Sequence, residues 1–368
     1  MVLSWREGGR FKQKWFTAHG PKREAQKLLA QKVADFNAGI RAEEPARLTV
    51  AEFLTRWLGE VAKPNVRPTT FASYETTIRN HVIPEIGPVA LVRLTPARIQ
   101  KLYADKLAGP RADGKPGHLS RLSVRYIHSV LRIALGQAVK WNLVSRNVLE
   151  LVTPPKVEPK EVAAMKVEQA RRFLDSTQGD RLYALYYLAL VTGLRRGELL
   201  GLRWQDVDLD LAFLRVTQSL VDLQGHPTLQ PPKTAKGRRV IELPAEAVEV
   251  LKEHRASQAK EKVFWDVEYQ ENGLVFTGLA GRPTSPRYLD ERFKLQLARA
   301  GLPGFRFHDL RHTFATMVIP TAGLKLASAI LGHENISTTA NIYGHVLAGA
   351  TRQAISEVVK GITPKGDD

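Results

Sequence analysis

A proline-rich segment divides this chain and limits how it can fold. The nine residues TPPKVEPKE, Thr153 to Glu161, contain three prolines and charges of both signs. Proline lacks the backbone N–H that helices and sheets need, so neither element is expected to continue through this segment. We therefore predict an interdomain linker here, in a chain whose 368 residues suffice for two or three domains.

Positive charge is concentrated before this linker. The chain has 54 Lys and Arg against 37 Asp and Glu, which gives a net charge of +17. By segment, residues 1–47 carry +5, residues 48–155 carry +8, and residues 156–368 carry only +4. Such a surplus is typical of proteins that bind a polyanion, most often nucleic acid and less often an anionic membrane. Residues 1–155 are therefore predicted to bind nucleic acid, and residues 156–368 to form a globular domain with a different function.

Several protein classes are excluded by composition. The chain contains no cysteine, which excludes disulfides, thiolate zinc sites, iron–sulfur clusters and cysteine nucleophiles. The longest apolar run, Leu182 to Val191, has ten residues, whereas a membrane-spanning helix needs about 20. The first residues, MVLSWREGGR, lack the apolar core of a signal peptide. These features predict a soluble cytoplasmic protein without a membrane partner.

The first 47 residues predict a small α+β unit. In WREGGRFKQKWFTA, basic and aromatic residues alternate around two glycines, which indicates two strands joined by a turn. Pro21 then opens a helix that ends at Gly39, and its predicted buried stripe is Leu28, Leu29, Val33 and Phe36. The hairpin is either a DNA-binding sheet or a solvated hairpin with scattered charge. The DNA-binding candidates are Arg6, Arg10, Lys12 and Lys14.

Residues 48–155 predict an all-α domain with four helices. Thr49 can cap the first helix, and apolar residues recur at helical spacing in all four. The stripes are Phe53, Trp57 and Val61; Phe71, Tyr74, Ile78 and Val82; Ile99, Leu102, Tyr103 and Leu107; and Val124, Ile127, Leu131, Leu135 and Ala138. The polar faces are basic, and the DNA-binding candidates among them are Arg79, Arg121 and Arg125.

Four short patterns after the linker contain residue types that can carry chemistry. TGLRRGELLGLRWQDVD places an arginine after an apolar helix, and QPPKTAKGRRVIELP is predicted to form a β-hairpin with a lysine near its tip. HDLRHT puts a histidine and an arginine on one helix face, and the fourth pattern is LGHENISTTANIYGH. The candidates are Arg195 with Glu198, Lys233, His308 with Arg311, His333 and Tyr343.

Together these residues suit phosphoryl transfer. Arginine stays charged and can bind two phosphate oxygens, lysine and histidine transfer protons, and tyrosine can be a covalent nucleophile. The sequence has no GxxxxGK[ST] phosphate loop and no acidic cluster suited to a two-metal nuclease. His308 and His312 could form a metal pair, but no HExxH pattern or third ligand accompanies them. Taken singly, each candidate could be an ordinary surface or packing residue, so their order and joint chemistry carry the prediction.

The motifs TGLRRGELLGLRW, PPKTAKGRR, HDLRHTFAT and LGHENISTTANIYGH resemble those of tyrosine recombinases of the phage integrase family. The six catalytic candidates, Glu198 not included, occur in the family's order, separated by 38, 75, 3, 22 and 10 residues. The resemblance covers nearly the whole chain and is closest to heterobivalent integrases. It implies an arm-binding domain over 1–47, a helical, SAM-like core-binding domain over 48–155 and a catalytic domain over 156–368. The catalytic domain would be mainly α, with a small antiparallel sheet.

The resemblance also implies a role for each site residue. Tyr343 would attack a DNA phosphate and form a 3′-phosphotyrosyl bond, with no metal, ATP or other cofactor. Arg195 and Arg311 would hold the phosphate oxygens, and Lys233, with Lys236 as the alternative, would protonate the leaving 5′-oxygen. The remaining assignments are His308 as the acceptor of the tyrosine proton, His333 as a residue that orients the phosphate, and Glu198 as a residue that positions Arg195.

The implied partners are double-stranded DNA at attachment, core and arm sites, three further copies of the chain in a tetramer, and an accessory DNA-bending or directionality factor. The sequence departs from the family pattern in having two predicted arm strands where relatives usually have three, Asn147-Val148 in place of Asn-Pro, and Pro320 inside an expected helix. Two other functions remain open: a type IB topoisomerase, which shares this chemistry, and a non-catalytic DNA-binding protein on the same fold.

Overall fold

The computed structural model describes residues 2–7, 10–15, 21, 23–24, 26–27, 29–30, 33, 47–111, 114–158, 162–223, 225–232, 237–302 and 304–343. The chain forms two compact units, Met1–Glu158 and Pro159–Asp368. The division falls inside the proline-rich segment, where three prolines interrupt backbone hydrogen bonding.

The first unit begins with a two-stranded antiparallel hairpin. Strand β1, Val2–Glu7, pairs with β2, Arg10–Trp15, in a register that runs from Val2 opposite Trp15 to Glu7 opposite Arg10. The two predicted strands are thus confirmed, and all four basic candidates of this segment lie on them. The predicted turn residues, Gly8 and Gly9, lie outside the described residues.

The helix predicted after Pro21 is confirmed in part. The described residues between Arg23 and Val33 are helical. Leu29 is half-buried, but Val33 is 37% exposed. The prediction that Val33 belongs to a buried stripe is therefore wrong, because its side chain remains partly exposed to solvent. Leu28, Phe36 and the predicted end at Gly39 lie outside the described residues.

A helical domain follows in the first unit. Its main helices are α1, Val50–Trp57; α2, Pro68–Thr77; α3, Pro96–Ala108; and α4, Arg121–Lys140. Further helical turns extend the first two through Leu58–Ala62, Lys63–Asn65, Ile78–Val82 and Ile83–Ile86. Thr49 caps α1 as predicted: its hydroxyl accepts from the Glu52 N–H, and the Glu52 carboxylate accepts from the Thr49 N–H. This reciprocal capping fixes where α1 begins.

The predicted apolar stripes form the core of this domain. Phe53 and Trp57 are almost fully buried, and the Trp57 ring stacks on Tyr74 with centroids 5.7 Å apart. The basic candidates Arg79, Arg121 and Arg125 are exposed, as predicted. Arg79 also donates to Glu75 at 3.0 Å, so part of its charge is neutralised within the helix.

The second unit is mainly helical with two small sheets. Its helices are α5, Val167–Thr177; α6, Tyr183–Thr192; α7, Arg196–Leu200; α8, Ala245–Trp265; α9, Pro286–Arg299; and α10, Phe307–Leu331. Its strands are β3, Val207–Asp208; β4, Phe213–Val216; β5, Ser219–Leu223; β6, His226–Gln230; and β7, Arg239–Glu242. Residues 336–343 are also helical.

The strand pairing corrects one prediction. Strands β3, β4 and β7 form one antiparallel sheet, and β5 pairs with β6 in another. The predicted hairpin between β6 and β7 is therefore wrong, because the connection between them joins two sheets. Pairing of β7 with β4 places Ile241 opposite Leu214, and both side chains are buried. Burial of these apolar residues favours this register. Lys233 and Lys236 lie outside the described residues.

Helix α10 is the long central helix of the second unit. It contains Pro320 and is broken at Gly323, whose φ of +73° is not helical. By length and apolarity alone it could cross a membrane. Its first turns instead pack on α6 and bury Arg311 in hydrogen bonds, which is the environment of a core helix.

Candidate active site

Arg195 is positioned by the end of one helix and the start of the next. Helix α6 ends at Gly193 in the left-handed conformation, with φ +61°. A Cβ on Gly193 would lie 2.9 Å from a methyl carbon of Leu331, so both the backbone conformation and the close packing favour glycine. Arg195 then caps α7: its backbone N–H donates to Glu198 at 3.0 Å, and its Nη1 donates to the same carboxylate at 2.8 Å.

Glu198 joins two arginines. Its side chain is only 5% exposed, and its carboxylate also accepts from Arg239 Nη2 at 2.9 Å. Burial alone would raise the pKa of Glu198, but the Arg239 hydrogen bond and the charges of both arginines outweigh it and hold that pKa below its ordinary value. Glu198 is therefore a carboxylate at neutral pH, which supports its predicted role in positioning Arg195.

Arg311 is the most deeply buried basic residue of the site. It lies in the first turns of α10 and is 3% exposed. Its Nη1 donates to the Gly193 carbonyl and its Nη2 to the Leu331 carbonyl, both at 2.7 Å. Burial and the nearby charge of Arg195 lower the pKa of Arg311 to about 9, so the guanidinium remains protonated at neutral pH.

The C-terminal end of α10 brings three guanidinium groups together. Three successive carbonyls each accept from a different arginine: Ile330 from Arg239 Nε at 2.6 Å, Leu331 from Arg311 Nη2 at 2.7 Å, and Gly332 from Arg195 Nη2 at 3.1 Å. The last carbonyls of a helix lack intrahelical partners and form the negative end of its dipole. The helix end thus offsets part of the repulsion among three like charges.

His312 and Tyr343 are in direct contact. His312 Nδ1 lies 2.6 Å from the Tyr343 hydroxyl oxygen. Tyr343 is 1% exposed, and burial raises its pKa to about 12. Sequence reasoning considered His312 only as part of a metal pair, although its position one turn after His308 could have placed it on the same helix face.

His308 lies at the edge of this group. Its ring centroid is 4.9 Å from that of His312, and the residue is exposed. Neighbouring protein displaces part of the water around its ring, and this desolvation, with the positive charge of Arg311, lowers the pKa of His308 to about 4. His308 is therefore neutral at pH 7 and able to accept a proton. In the observed arrangement, however, the tyrosine hydroxyl contacts His312.

His333 follows the glycine that ends α10. Gly332 has φ +64°, and the next residue turns back so that His333 Nδ1 lies 2.7 Å from the Thr339 hydroxyl. Burial, reinforced by the charges of Arg311 and Arg195, lowers the pKa of His333 to about 4. The site therefore combines permanently charged guanidiniums with neutral imidazoles.

The structure brings five of the six predicted catalytic residues into one region; the sixth, Lys233, lies outside the described residues. A cleft of about 860 Å³ borders this region, lined by Arg195, Arg306 and His308 among others. The side chain of Arg306, which sequence reasoning missed, is 76% exposed there. Among the described residues, no group of three histidines and carboxylates is arranged to hold a metal ion.

Comparison with known proteins agrees with this geometry. Residues 160–349 match the phage integrase family, and residues 49–108 match the N-terminal SAM-like domain of phage integrases. A XerC-like tyrosine recombinase from Caldanaerobacter subterraneus subsp. tengcongensis is 33% identical over 84% of this chain and 82% of its own length. An integrase from Streptomyces ambofaciens is 28% identical over 88% of this chain and 82% of its own.

Solved structures show the same fold. The Tn1549 transposon integrase in complex with transposon right end DNA superposes with a TM-score of 0.68 at 20% identity, covering 84% of this chain and 99% of that one. A lambda integrase tetramer bound to a Holliday junction gives a TM-score of 0.60 at 18% identity, covering 90% and 93%. The arginines, histidines and tyrosine assembled above therefore lie in a fold and sequence context shared with these enzymes, and the chain belongs to the phage integrase family, the tyrosine recombinases that break and rejoin DNA.

Proposed function

We propose that this recombinase integrates or excises a phage or another mobile element, with Tyr343 as the nucleophile. The observation that carries this proposal is the convergence of Arg195, Arg311, His308, His333 and Tyr343 in one region, where Arg195 and His308 line an open cleft. Their chemistry fits attack on a phosphodiester, and the similarity to integrases favours integration and excision as the biological task.

The proposed reaction exchanges one phosphodiester for another. The Tyr343 oxygen attacks phosphorus, and the bond to the 5′-oxygen breaks, which leaves a 3′-phosphotyrosyl bond and a free 5′-hydroxyl. The tyrosine proton passes to the neutral imidazole of His308, and Lys233 protonates the leaving oxygen, with Lys236 as the alternative. The 5′-hydroxyl of a partner strand then reverses these steps. No ATP is required, because the bond energy is conserved in the phosphotyrosyl link.

The arginines stabilise the charge that develops during this exchange. A guanidinium has five N–H donors, and Arg195 and Arg311 each use donors on carbonyls that hold the group in place. Their planes are therefore set before a phosphate arrives, which is the condition for effective electrostatic stabilisation of a transition state. His333, neutral and held by Thr339, would orient the phosphate from another side.

Tyr343 must move before it can react. The residue is 1% exposed and its hydroxyl contacts His312, so a DNA phosphate cannot reach the oxygen in the observed arrangement. The described structure thus corresponds to a resting position of the nucleophile. Displacement of residues 336–343 from α10 would expose the oxygen.

The remaining parts of the chain would bind DNA. We assign residues 1–47 to an arm site, 48–155 to the core site and 156–368 to catalysis; the basic hairpin and the exposed Arg121 and Arg125 support the first two assignments. We further propose a tetramer on two synapsed duplexes, an accessory DNA-bending or directionality factor, and action on DNA in the bacterial cytoplasm.

A strand-exchange assay tests this function. Two labelled duplexes carrying the attachment site are incubated with the protein, and recombinant duplexes of new length are expected. A nicked duplex that loses its 5′-hydroxyl fragment should also trap a covalent complex with wild type but not with Tyr343→Phe, which removes only the attacking oxygen. Relaxation of supercoiled DNA without recombinants would favour a topoisomerase, and binding without a covalent complex would favour a non-catalytic protein.

A further inference from the structure

The structure assigns a positioning role to Arg239. We propose that Arg239 holds Glu198 and the C-terminal end of α10 in place, and so sets the position of Arg195 for phosphate binding. This inference rests on the proposed function, because it concerns how the phosphate site is prepared. Arg239 was not among the candidates from sequence.

Arg239 has almost no donor left for DNA. Its side chain is 8% exposed and uses four of its five N–H groups on described residues, whereas the guanidiniums of Arg195 and Arg311 each use two. All three of its nitrogens donate within the protein: Nε to Ile330 at 2.6 Å, Nη1 to Gly237 at 3.2 Å and to Glu198 at 3.3 Å, and Nη2 to Glu198 at 2.9 Å. Its effect on a phosphate must therefore pass through other residues.

Glu198 is the first residue through which Arg239 can influence the position of Arg195. The Glu198 carboxylate accepts two hydrogen bonds from Arg239. It also accepts one from the side chain and one from the backbone N–H of Arg195. Arg239 approaches from the buried side, while Arg195 keeps part of its guanidinium exposed. Loss of Arg239 would free the carboxylate to rotate, and Arg195 would lose a fixed partner.

The C-terminal end of α10 is the second element through which Arg239 can influence the position of Arg195. Arg239 holds the Ile330 carbonyl, two residues before the Gly332 carbonyl that accepts from Arg195. A Cβ on Gly332 would lie 2.8 Å from Arg239 Nη1 and 3.0 Å from Arg239 Cζ, so the guanidinium packs directly against this turn. Arg239 therefore contacts both groups that orient Arg195, and it also borders the residue before His333.

The substitution Arg239→Lys tests the proposal. Lysine keeps the charge but cannot direct donors to Glu198 and Ile330 in the same plane. We expect single-turnover cleavage of a nicked attachment site to slow at least about tenfold, which is less than the hundredfold or more lost with a donor that contacts the transition state directly. Arg215→Lys is the matched control, because Arg215 is exposed on the adjacent strand β4, and it should cleave at the wild-type rate.

A second substrate separates positioning from a loss of structure. In a methylphosphonate at the scissile position, a methyl group replaces one non-bridging oxygen, so the linkage is neutral and depends less on arginine. If Arg239 acts through Arg195, the defects of Arg239→Lys and Arg195→Lys should both shrink on this substrate. The ratio of the two rate constants is measured within one protein preparation, so it does not depend on the fraction that is folded.

A double variant completes the test. Residues that act through one another are not additive, so Arg195→Lys with Arg239→Lys should be no slower than Arg195→Lys alone. Additive losses, an equal defect of Arg239→Lys on both substrates, or wild-type cleavage by Arg239→Lys would each overturn the positioning role. Failure of wild type to form a covalent complex would instead reject the proposed function.

Discussion

The Nδ1 atom of His312 lies 2.6 Å from the hydroxyl oxygen of Tyr343. Burial lowers the pKa of His312 and raises that of Tyr343 to about 12, so both groups are neutral at pH 7 and share one proton through a neutral hydrogen bond. This contact holds the nucleophile in the protein interior. The histidine that contacts the tyrosine at rest is therefore His312. The histidine proposed to accept the tyrosine proton during attack is His308.

The two histidines should therefore respond differently to substitution. His308→Gln removes the proposed proton acceptor and should slow covalent complex formation at least about a hundredfold. His312→Phe keeps a ring but leaves the buried tyrosine hydroxyl unpaired, which destabilises the resting position by about 1–3 kcal/mol and should raise the rate. Single-turnover trapping on a nicked duplex measures both. The reverse pattern would identify His312 as the proton acceptor.

A lysine should not replace the function of either phosphate-binding arginine, although it keeps the positive charge. Arg195→Lys and Arg311→Lys keep a cation but lose the paired donors, and each is expected to cost about 3–4 kcal/mol in the transition state, or a hundredfold or more in rate. Arg311→Lys should also lower the thermal unfolding midpoint, because Arg311 is buried and bonded to two carbonyls. Near-wild-type cleavage by either variant would place that arginine outside the site.

Stability should fall as the solution is acidified through the range where the histidines titrate. The folded protein holds the pKa of His333 at about 4, below its ordinary 6.5, so the unfolded chain binds more protons between these values. The stabilisation is present above pH 6.5 and is lost as pH falls toward 4. Urea unfolding at pH 7 and pH 5 measures the loss, which should be smaller in His333→Gln. An identical pH dependence in both proteins would show that His333 does not contribute.

Cleavage should continue in excess EDTA. Arg195 lines the cleft, and Arg311 is held on the neighbouring carbonyl of the same helix end. Their guanidinium groups supply the positive charge that a phosphate transition state needs. The measurement is covalent complex formation with and without EDTA, using a magnesium-dependent nuclease as the control for chelation. Loss of activity that magnesium restores would contradict the mechanism.

Removal of residues 1–47 should weaken binding to a second DNA site and spare cleavage at the core site. The segment carries +5, and its two strands bear four of the basic residues. If it contacts about five phosphates, the log–log salt dependence of arm-site binding should be about 4–5 units steeper with the segment than without it. Binding of both proteins to arm and core fragments across a salt series tests this. An equal loss at both fragments would indicate a general electrostatic contact.

The sequence by itself determined the helices of the first unit and the identity of the family. Apolar residues at helical spacing placed the stripes of α1 to α4, and the Thr49–Glu52 cap is a contact between residues three positions apart. Periodicity and capping depend on neighbours within about one helical turn, so they can be read from a linear sequence. The linear sequence also contains the order of the site residues, Arg195, His308, Arg311, His333 and Tyr343, so the family motifs can be recognised without a structure.

Only the tertiary structure decided how these residues meet. Arg239 binds Glu198 across 41 residues and Ile330 across 91, and His312 meets Tyr343 across 31. The pairing of β7 with β4, against the predicted hairpin, depends in the same way on which apolar faces are buried together. Such contacts are set by packing in three dimensions, where the burial of an ion pair or the partner of a strand depends on segments far away in the chain. No local pattern in the sequence encodes those distances.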